Sequence, residues 1–363
     1  MRIGVNALFL VPGRAGGVET YLRELLRELP RVAPTVEFVI FTNRENHGTF
    51  ADHRRVALPV SGRRLLQRVL VEQTLLVRAA SRERVDLLFS PCYLSPVRAP
   101  FPQVLTVHDA NVFDAPEDFA WPVLTVDRAL LRACVGAARR VLTVSEFSRR
   151  RIVDSLRVDA DRVVATPEAA SPAFAQPRPC TVERPFILYV ANTYPHKNAQ
   201  RLVNAFALLA GRIPHDLVIV GQVHRGEPSP HPRVRRLHRV PFDELVGLYH
   251  ACDVFVFPSW YEGFGLPVLE ALTAGARVVA ARAAAIPEVA GDAATYFDPR
   301  DEREICRAIL EALEEPPGER ARFRALGHAR AAQFSWERCA RTTFETLDAA
   351  ARVPSPTRSP DRG

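Results

Sequence analysis

Two glutamates frame a glycine-rich stretch in the second half of the chain. Glu262 and Glu270 lie in the run Pro258-Ser-Trp-Tyr-Glu-Gly-Phe-Gly-Leu-Pro-Val-Leu-Glu270. Carboxylates accept hydrogen bonds from sugar hydroxyls. Gly263 and Gly265 let the backbone approach a ligand closely, and the N–H groups of a helix start favour anionic groups. The pattern predicts a site for an oxygen-rich ligand, although Glu270 could also be a helix-terminal charge and Glu262 a solvated loop residue.

A second candidate group is the run Tyr194-Pro-His-Lys-Asn198, which follows a predicted strand and precedes a predicted helix. Lys197 can bind a phosphate, and lysine is rare in this chain compared with arginine. A fixed ammonium and helix-terminal N–H groups can stabilise the negative charge on a departing nucleotide without a metal. The alternative is a solvated surface lysine.

Alternating strand-like and helix-like segments must position these residues. The chain opens with a predicted strand at residues 3–8, a glycine-rich turn that includes Gly16 and Gly17, and a predicted helix at 18–29. Such alternation predicts α/β domains with parallel sheets. Because ligands bind beyond the carboxyl ends of parallel strands, Lys197, Glu262 and Glu270 should share one edge. Further strands are predicted at 37–41, 86–89, 103–108, 140–144, 186–191, 216–221, 253–257 and 277–281.

Two domains are expected from the length of 363 residues. Repeated prolines between residues 167 and 184 break the periodicity, as an interdomain linker would. We predict an N-terminal Rossmann-like domain at 1–172 and a C-terminal Rossmann-like domain at 173–335. A helix at 336–353 should pack back on the N-terminal domain, and residues 354–363 should form a disordered tail.

Composition restricts the partners. The net charge of +7 favours anionic partners such as phosphates, but the arginines lack the interleaved aromatics of single-strand binders, so we expect no nucleic acid. The six cysteines form no C-x-x-C pair, which predicts reduced thiols. Asp159-Ala-Asp161 is predicted to be a turn before a short strand that leads to the linker, and His224, His231 and His238 lack zinc-site spacing. We therefore expect no metal and no cofactor.

The chain has no apolar run of about 18 residues, so we expect a cytoplasmic protein. Between residues 63 and 80, leucines that include Leu66 and Leu70 are flanked by arginines. This segment could touch an anionic membrane that bears a lipid-linked acceptor, on the inner face of the cytoplasmic membrane. More often, such a helix simply packs on its own domain.

The motifs together resemble glycosyltransferase family 4, the retaining GT-B enzymes, over nearly the whole chain. The E-x7-E motif from Glu262 to Glu270 matches completely. The supporting matches are Gly16-Gly-Val-Glu19, Thr106-Val-His-Asp109, Leu142-Thr-Val-Ser-Glu-Phe-Ser148, the region 186–198, the region 286–294 and Phe334-Ser-Trp336.

The resemblance implies a GT-B fold, with two Rossmann-like doubly wound domains facing across a cleft. The N-terminal domain would lie on the acceptor side, and the C-terminal domain would bind the nucleotide sugar. Glu262, Lys197 and His108 would be the catalytic residues, with Lys197 at the diphosphate and His108 beneath the sugar. The implied donor-binding residues are Glu270 at the ribose, Gly263, Phe264, Gly265 and Leu266 at the sugar, and Gly16 and Gly17 at the diphosphate or acceptor.

Two departures from the family pattern concern the phosphates. Asn192 stands where many members carry a phosphate-binding arginine, and Ala191 replaces a common glycine. The phosphate contacts would then be fewer, or would come from His196 or Ser259. Without the resemblance, His108 could be a hydrogen-bonded residue at a strand end, and Gly16-Gly17 an ordinary tight turn.

The resemblance also implies the reaction. A hexose would move to its acceptor with retention of configuration, through a short-lived ion pair and without a metal. The run from His108 to Phe119 and the loop Pro195-His-Lys-Asn198 look most like the mannosyltransferase branch, which favours GDP-mannose, with UDP-sugars as the alternative. The acceptor would be a glycan or a lipid-linked glycan in bacterial polysaccharide or glycolipid assembly. A nucleotide-sugar epimerase and a non-catalytic nucleotide-sugar-binding scaffold remain alternatives, whereas a dehydrogenase is disfavoured because G-x-G-x-x-G is absent.

Overall fold

A computed structural model describes residues 1–14, 16–183, 185–223, 228 and 230–352. The strands are β1 (Arg2–Asn6), β2 (Glu37–Thr42), β3 (Arg54–Ala57), β4 (Leu87–Ser90), β5 (Gln103–Thr106), β6 (Arg140–Thr143), β7 (Val163–Ala165), β8 (Phe186–Val190), β9 (Asp216–Val220), β10 (Val234–Leu237), β11 (Val254–Phe257), β12 (Val278–Ala281) and β13 (Ala294–Phe297).

Helices separate most of the strands. They are α1 (Gly17–Val32), α2 (Leu65–Val71), α3 (Val77–Arg82), α4 (Asn111–Asp114), α5 (Trp121–Ala137), α6 (Glu146–Leu156), α7 (Ala199–Leu209), α8 (Phe242–Ala251), α9 (Leu266–Thr273), α10 (Ile286–Ala290), α11 (Glu302–Glu314), α12 (Pro317–Ala331) and α13 (Trp336–Arg352).

The chain divides into two compact units. The first contains Met1–Ala110, Trp121–Pro167 and the C-terminal segment that begins at Trp336; the second contains Asn111–Ala120 and Glu168–Ser335. Residues 111–120 thus group with the second unit although the sequence on both sides groups with the first. Within the first unit, α13 packs against α1. The predicted tail at 354–363 lies outside the described residues.

The first unit is built on a parallel sheet of seven strands in the order β3-β2-β1-β4-β5-β6-β7. Its central strands are continuous apolar runs such as Ile3 to Val5 and Leu87 to Phe89, which are fully buried. Such runs are typical of parallel sheets that are covered on both faces. The reversal of strand order between β1 and β4 makes this sheet doubly wound.

The second unit contains a parallel sheet of six strands in the order β10-β9-β8-β11-β12-β13. The order reverses between β8 and β11, which are neighbours with Val254 opposite Ile187. The strands β8, β9 and β11 are again almost entirely buried. This reversal makes the sheet doubly wound, as expected from the sequence, and opens a crevice at the carboxyl ends of β8 and β11.

Most predicted strands agree with the structure to within two residues, but β3, β10 and β13 were not predicted. All three lie at sheet edges. An edge strand buries less surface, so its sequence carries a weaker apolar pattern. β3 reads Arg-Arg-Val-Ala and β10 reads Val-Arg-Arg-Leu, and neither is fully buried at any position.

Candidate functional site

The crevice beyond β8 and β11 receives two loops of the second unit. The loop after β8 leads into a single 3-10 turn, Pro195–Lys197, and the loop after β11 carries Glu262 before α9 begins at Leu266. Because both strands are parallel neighbours, their carboxyl ends bring these loops to the same edge. The structure therefore brings Lys197 and Glu262 together across 65 positions of sequence.

Lys197 and Glu262 form a two-pronged ion pair. The Nζ atom of Lys197 lies 2.7 Å from Oε1 and 2.8 Å from Oε2 of Glu262. The side chains are 19% and 10% exposed, so the pair is largely shielded from water but open on one side. Shielding strengthens the interaction of these charges with each other and with a charged ligand.

The backbone around Lys197 is held by neighbouring strands and loops. The buried hydroxyl of Tyr189 in β8 donates to the Lys197 carbonyl at 2.9 Å. Asn198 adopts a left-handed conformation with φ of 61°, and its amide donates to the carbonyls of Pro258 and Pro299 at 3.1 and 2.8 Å. These contacts tie three loops together, so the ammonium of Lys197 is held in one position.

His196, the residue before Lys197, is buried in the same turn. Its Nδ1 atom and the carboxylate of Asp118 form a close contact, and its backbone N–H donates to Asp118 Oδ1 at 3.4 Å. The carbonyl of His196 accepts from the backbone N–H of Trp260 at 3.0 Å. The ring stacks on Tyr194 with centroids 5.9 Å apart. Asp118 lies in the run from His108 to Phe119, but the sequence analysis gave it no role and missed this contact.

The predicted sugar-binding segment lies at the start of α9. Gly265 caps the helix with φ of 105°, a conformation that side chains rarely adopt, which accounts for the glycine. Phe264 is buried with its ring edge-on to Phe334. Gly263 and Leu266 flank these two residues. The Ser259 hydroxyl is fully buried and has no hydrogen-bond partner within the described ranges, so it can still bond to a ligand.

Glu270 points back to the neighbouring helix. Its Oε2 atom accepts from the Tyr249 hydroxyl at 2.9 Å. Burial raises the pKa of Glu270 to about 7; the Tyr249 hydrogen bond opposes this shift and the Glu168 charge adds to it. The Glu270 carboxyl therefore changes its charge near neutral pH. Such shifted pKa values are common at functional sites, but buried structural groups also have them.

Asn192 lies at the end of β8 and is engaged with the next strand. Its Oδ1 atom accepts from the backbone N–H of Gln222 at 2.9 Å. Beside it, Gly221 has φ of 144°, and a Cβ there would lie 2.1 Å from the Ala191 carbonyl oxygen. The two loops therefore approach so closely that only glycine fits at position 221.

The remaining predicted residues belong to the first unit. His108 follows β5, and its Nε2 atom lies 3.1 Å from the Pro91 carbonyl oxygen. The ring packs edge-to-face on Tyr21 at 4.8 Å. Gly16 has φ of 54° and caps α1, while Gly17 is the first residue of that helix. No atom of the described residues lies within 4 Å of a Cβ built on either glycine.

A buried polar cluster of the first unit was not indicated by any motif. A π-helical turn, Glu72–Leu76, interrupts the predicted helix between α2 and α3. Glu72 is 1% exposed, accepts from Asn6 at 3.4 Å and lies 3.8 Å from the Arg68 guanidinium. Burial raises its pKa to about 7. Single π-helical turns occur often at functional sites, and this cluster lies at the β1 and β4 ends of the first sheet.

The described residues contain neither a cluster of metal ligands nor a membrane-spanning helix. Among them, no group of three or more His, Cys, Asp or Glu side chains could hold a metal ion. Within the same ranges, no helix has both the length and the hydrophobicity needed to span a membrane. Asp159 caps a short 3-10 turn by accepting from the Asp161 N–H, which agrees with the predicted turn. His224 lies outside the described residues.

Comparison with known proteins connects this site to a family. A profile described as Glycosyltransferase Family 4 matches residues 15–172, and one described as Glycosyl transferases group 1 matches residues 184–315. The chain is 35% identical over 269 residues to the O-antigen chain mannosyltransferase B of Escherichia coli, covering 68% of this chain and 69% of that protein.

Two further proteins extend the comparison. The MMP alpha-(1->4)-mannosyltransferase of Mycolicibacterium hassiacum is 30% identical over 275 residues, covering 70% of this chain and 67% of its own. The sucrose-phosphate synthase structure from Thermosynechococcus elongatus superposes with a TM-score of 0.76 at 18% identity, covering 96% of this chain and all of that one. With the two doubly wound sheets, this likeness confirms the α/β GT-B fold.

Proposed function

We propose that this chain, which belongs to glycosyltransferase family 4, transfers mannose. It is a hexosyltransferase of bacterial polysaccharide assembly. The observation that carries the proposal is the shielded Lys197–Glu262 pair at the topological switch point of the second sheet. Both relatives described above are named mannosyltransferases, and one of them acts on the O-antigen chain. The names of these relatives therefore do not favour the two alternatives, a nucleotide-sugar epimerase and a non-catalytic nucleotide-sugar-binding scaffold.

The donor in this proposal is a nucleotide sugar, with GDP-mannose preferred over UDP-sugars because of the relatives' names. Lys197 would bind the diphosphate, and the N–H groups at the start of α9 would add to the positive potential there. Glu262 would accept hydrogen bonds from the sugar hydroxyls and Glu270 from the ribose. The buried Ser259 hydroxyl, which has no hydrogen-bond partner within the described residues, would be a further donor to the phosphates.

Retention of configuration is part of the proposal. Both oxygens of Glu262 are engaged by Lys197, and Glu270 is bonded to Tyr249, so neither carboxylate is poised as a covalent nucleophile. The bond between the anomeric carbon and the phosphate oxygen would break first. The acceptor hydroxyl would then attack from the same face and give its proton to the departing phosphate. Lys197 would stabilise the negative charge that develops, with no metal.

Donor hydrolysis by the purified protein tests this proposal without an acceptor. GDP-mannose, UDP-glucose and UDP-N-acetylglucosamine would be compared with and without chelator, beside Lys197→Ala and the exposed-residue control Glu311→Ala on α11. We expect slow hydrolysis of GDP-mannose that persists with chelator, is lost in Lys197→Ala and is unchanged in Glu311→Ala. Failure of every nucleotide sugar to bind or turn over would contradict the proposal.

The acceptor is proposed to be a glycan or a lipid-linked glycan, met at a membrane surface from the cytoplasmic side. Supporting this, Leu66 and Leu70 on α2 are 82% and 65% exposed, beside Arg63 and Arg64. Exposed apolar side chains flanked by cations favour anionic lipid surfaces.

Co-sedimentation with lipid vesicles tests the membrane contact. We expect binding to vesicles with phosphatidylglycerol but not to neutral vesicles, and its loss in the double variant Leu66→Ser, Leu70→Ser. Leu208→Ser on α7 is a matched control, because Leu208 is 60% exposed and belongs to the second unit, outside the segment 63–80. Equal binding of all variants would exclude α2 as the contact.

A further inference from the structure

Asp118 lies in the run from His108 to Phe119, where the sequence analysis gave it no role of its own, yet it is buried against the turn that carries Lys197. It ends the 3-10 turn Pro116–Asp118 and is 8% exposed. This turn packs on the turn Pro195–Lys197 of the same unit. The carboxylate contacts one residue twice, through the His196 ring and through the His196 backbone N–H.

The contact with Asp118 identifies the ring nitrogen of His196 that carries a proton. An ionised carboxylate can only accept hydrogen bonds, so Nδ1 of His196 must carry the hydrogen that faces Asp118. In the neutral ring, Nε2 is then the acceptor. The ring also meets Tyr194 face to face and Trp260 edge to face, so its orientation is fixed on three sides.

His196 and Lys197 cannot move independently, because they are consecutive residues of one tight turn. The His196 carbonyl accepts from Trp260 N–H, and Trp260 lies two residues before Glu262. A shift of His196 would therefore disturb both partners of the ion pair. The Lys197 Nζ sits within 2.8 Å of both Glu262 oxygens, a geometry that tolerates little displacement.

We propose that Asp118 is a positioning residue of the donor site. By holding the ring and the N–H of His196, it keeps the Nδ1–H tautomer and sets the Lys197 ammonium against Glu262. Asp118 acts through His196 and need not touch the substrate itself. Only the kinetic test of this inference rests on the proposed function, because the NMR measurements do not require turnover.

The chain offers a direct probe, because Lys197 is its only lysine among 48 Lys and Arg residues. Protein made with ¹³C-labelled lysine gives one Cε resonance, which reports the surroundings of this ammonium. We expect that resonance to shift in Asp118→Asn and in Glu262→Gln. It should stay in place in Glu117→Gln, which removes a charge from the adjacent exposed position. Two-bond ¹H–¹⁵N spectra should show the Nδ1–H tautomer of His196 in the wild type and its loss in Asp118→Asn.

Kinetics separate positioning from general stability. We expect kcat for donor hydrolysis to fall about 10- to 100-fold in Asp118→Asn, with the melting temperature within a few degrees of that of Glu117→Gln. The double variant Asp118→Asn, His196→Gln should be no slower than His196→Gln alone, because both changes break one link.

An unshifted lysine resonance with an unchanged tautomer in Asp118→Asn would overturn the inference, as would losses that multiply in the double variant. If the wild type turned over no nucleotide sugar, the proposed function would fail. The two NMR measurements would still decide whether Asp118 positions Lys197.

Discussion

The Nζ atom of Lys197 lies 2.7 and 2.8 Å from the two carboxylate oxygens of Glu262, although 65 positions separate the residues in sequence. Each charge is the main partner of the other within a largely shielded site. Removing one partner would leave the other buried and unpaired, which is costly. The pair is thus expected to behave as a unit in both folding and catalysis.

A double-variant comparison tests this unit. Glu262→Gln and Lys197→Met should each lower kcat for donor hydrolysis by about 10²- to 10³-fold, the cost of losing one charge-stabilising group. Since each change already disables the pair, the double variant should lose little more than either single variant. Independent, multiplying losses would show that the residues act separately.

Donor binding should depend on pH through Glu270. Its pKa is raised to about 7 by burial, and only the ionised carboxylate accepts hydrogen bonds from two ribose hydroxyls. As the pH falls below about 7, the dissociation constant of the donor should rise by up to about tenfold per pH unit. Calorimetric titration from pH 5.5 to 8.5 measures this, with Glu270→Gln as the variant that should show weaker, pH-independent binding. A sloped profile in Glu270→Gln would assign the titration to another group.

Stability should depend on pH through Glu72. Burial raises its pKa from 4.5 to about 7, so between these values the folded state holds a proton that the unfolded state has released. The free energy of unfolding contributed by this group therefore falls as the pH rises through this window, by at most about 3 kcal/mol. Urea unfolding at pH 5 and pH 8 should show Glu72→Gln gaining stability relative to the wild type at the higher pH.

The control for this measurement is Glu337→Gln, because Glu337 is an exposed residue of the same unit. Its stability difference from the wild type should be the same at both pH values. A constant difference for Glu72→Gln as well would mean that Glu72 is already ionised at pH 5.

Substitution by alanine should affect stability at one glycine and not at another. Gly221→Ala should destabilise the fold by several kcal/mol or prevent folding, since φ is 144° and the new Cβ would meet the Ala191 carbonyl. In Gly17→Ala the new Cβ has no atom of the described part of the chain within 4 Å and lies in the first turn of α1, so the free energy of unfolding should be unchanged within about 1 kcal/mol. If Gly17 approaches the donor or the acceptor, KM should nevertheless rise, and an unchanged KM would make the turn a purely structural one.

The sequence predicts the sheet architecture well because buried parallel strands carry continuous apolar runs. The strands predicted at 186–191 and 216–221 begin at Phe186 and Asp216, where expected. It predicts Lys197 and Glu262 as candidates because their loops contain glycine, proline and charge at strand ends. Their direct ion pair requires knowing that β8 and β11 are neighbours, which no local pattern reveals.

The features that sequence reasoning missed depend on contacts made at a distance. Asp118 meets His196 across 78 positions, and nothing in its own segment, the run from His108 to Phe119, indicates that contact. The π-helical turn at Glu72 falls within a stretch whose leucine spacing predicts an uninterrupted helix. Both residues are acidic, and only their buried surroundings distinguish them from solvated surface charges.

The arginine-bearing edge strands have a consequence for the behaviour of the chain in a crowded cell. An open sheet edge offers unpaired backbone groups to any other extended chain. β3 and β10 end their sheets with Arg54 and Arg55 and with Arg235 and Arg236, respectively. A strand that paired with such an edge would have to place side chains next to these guanidinium groups, or bury the guanidinium groups away from water. The same residues that conceal these strands from pattern-based prediction therefore protect the protein from self-association into extended β-structure.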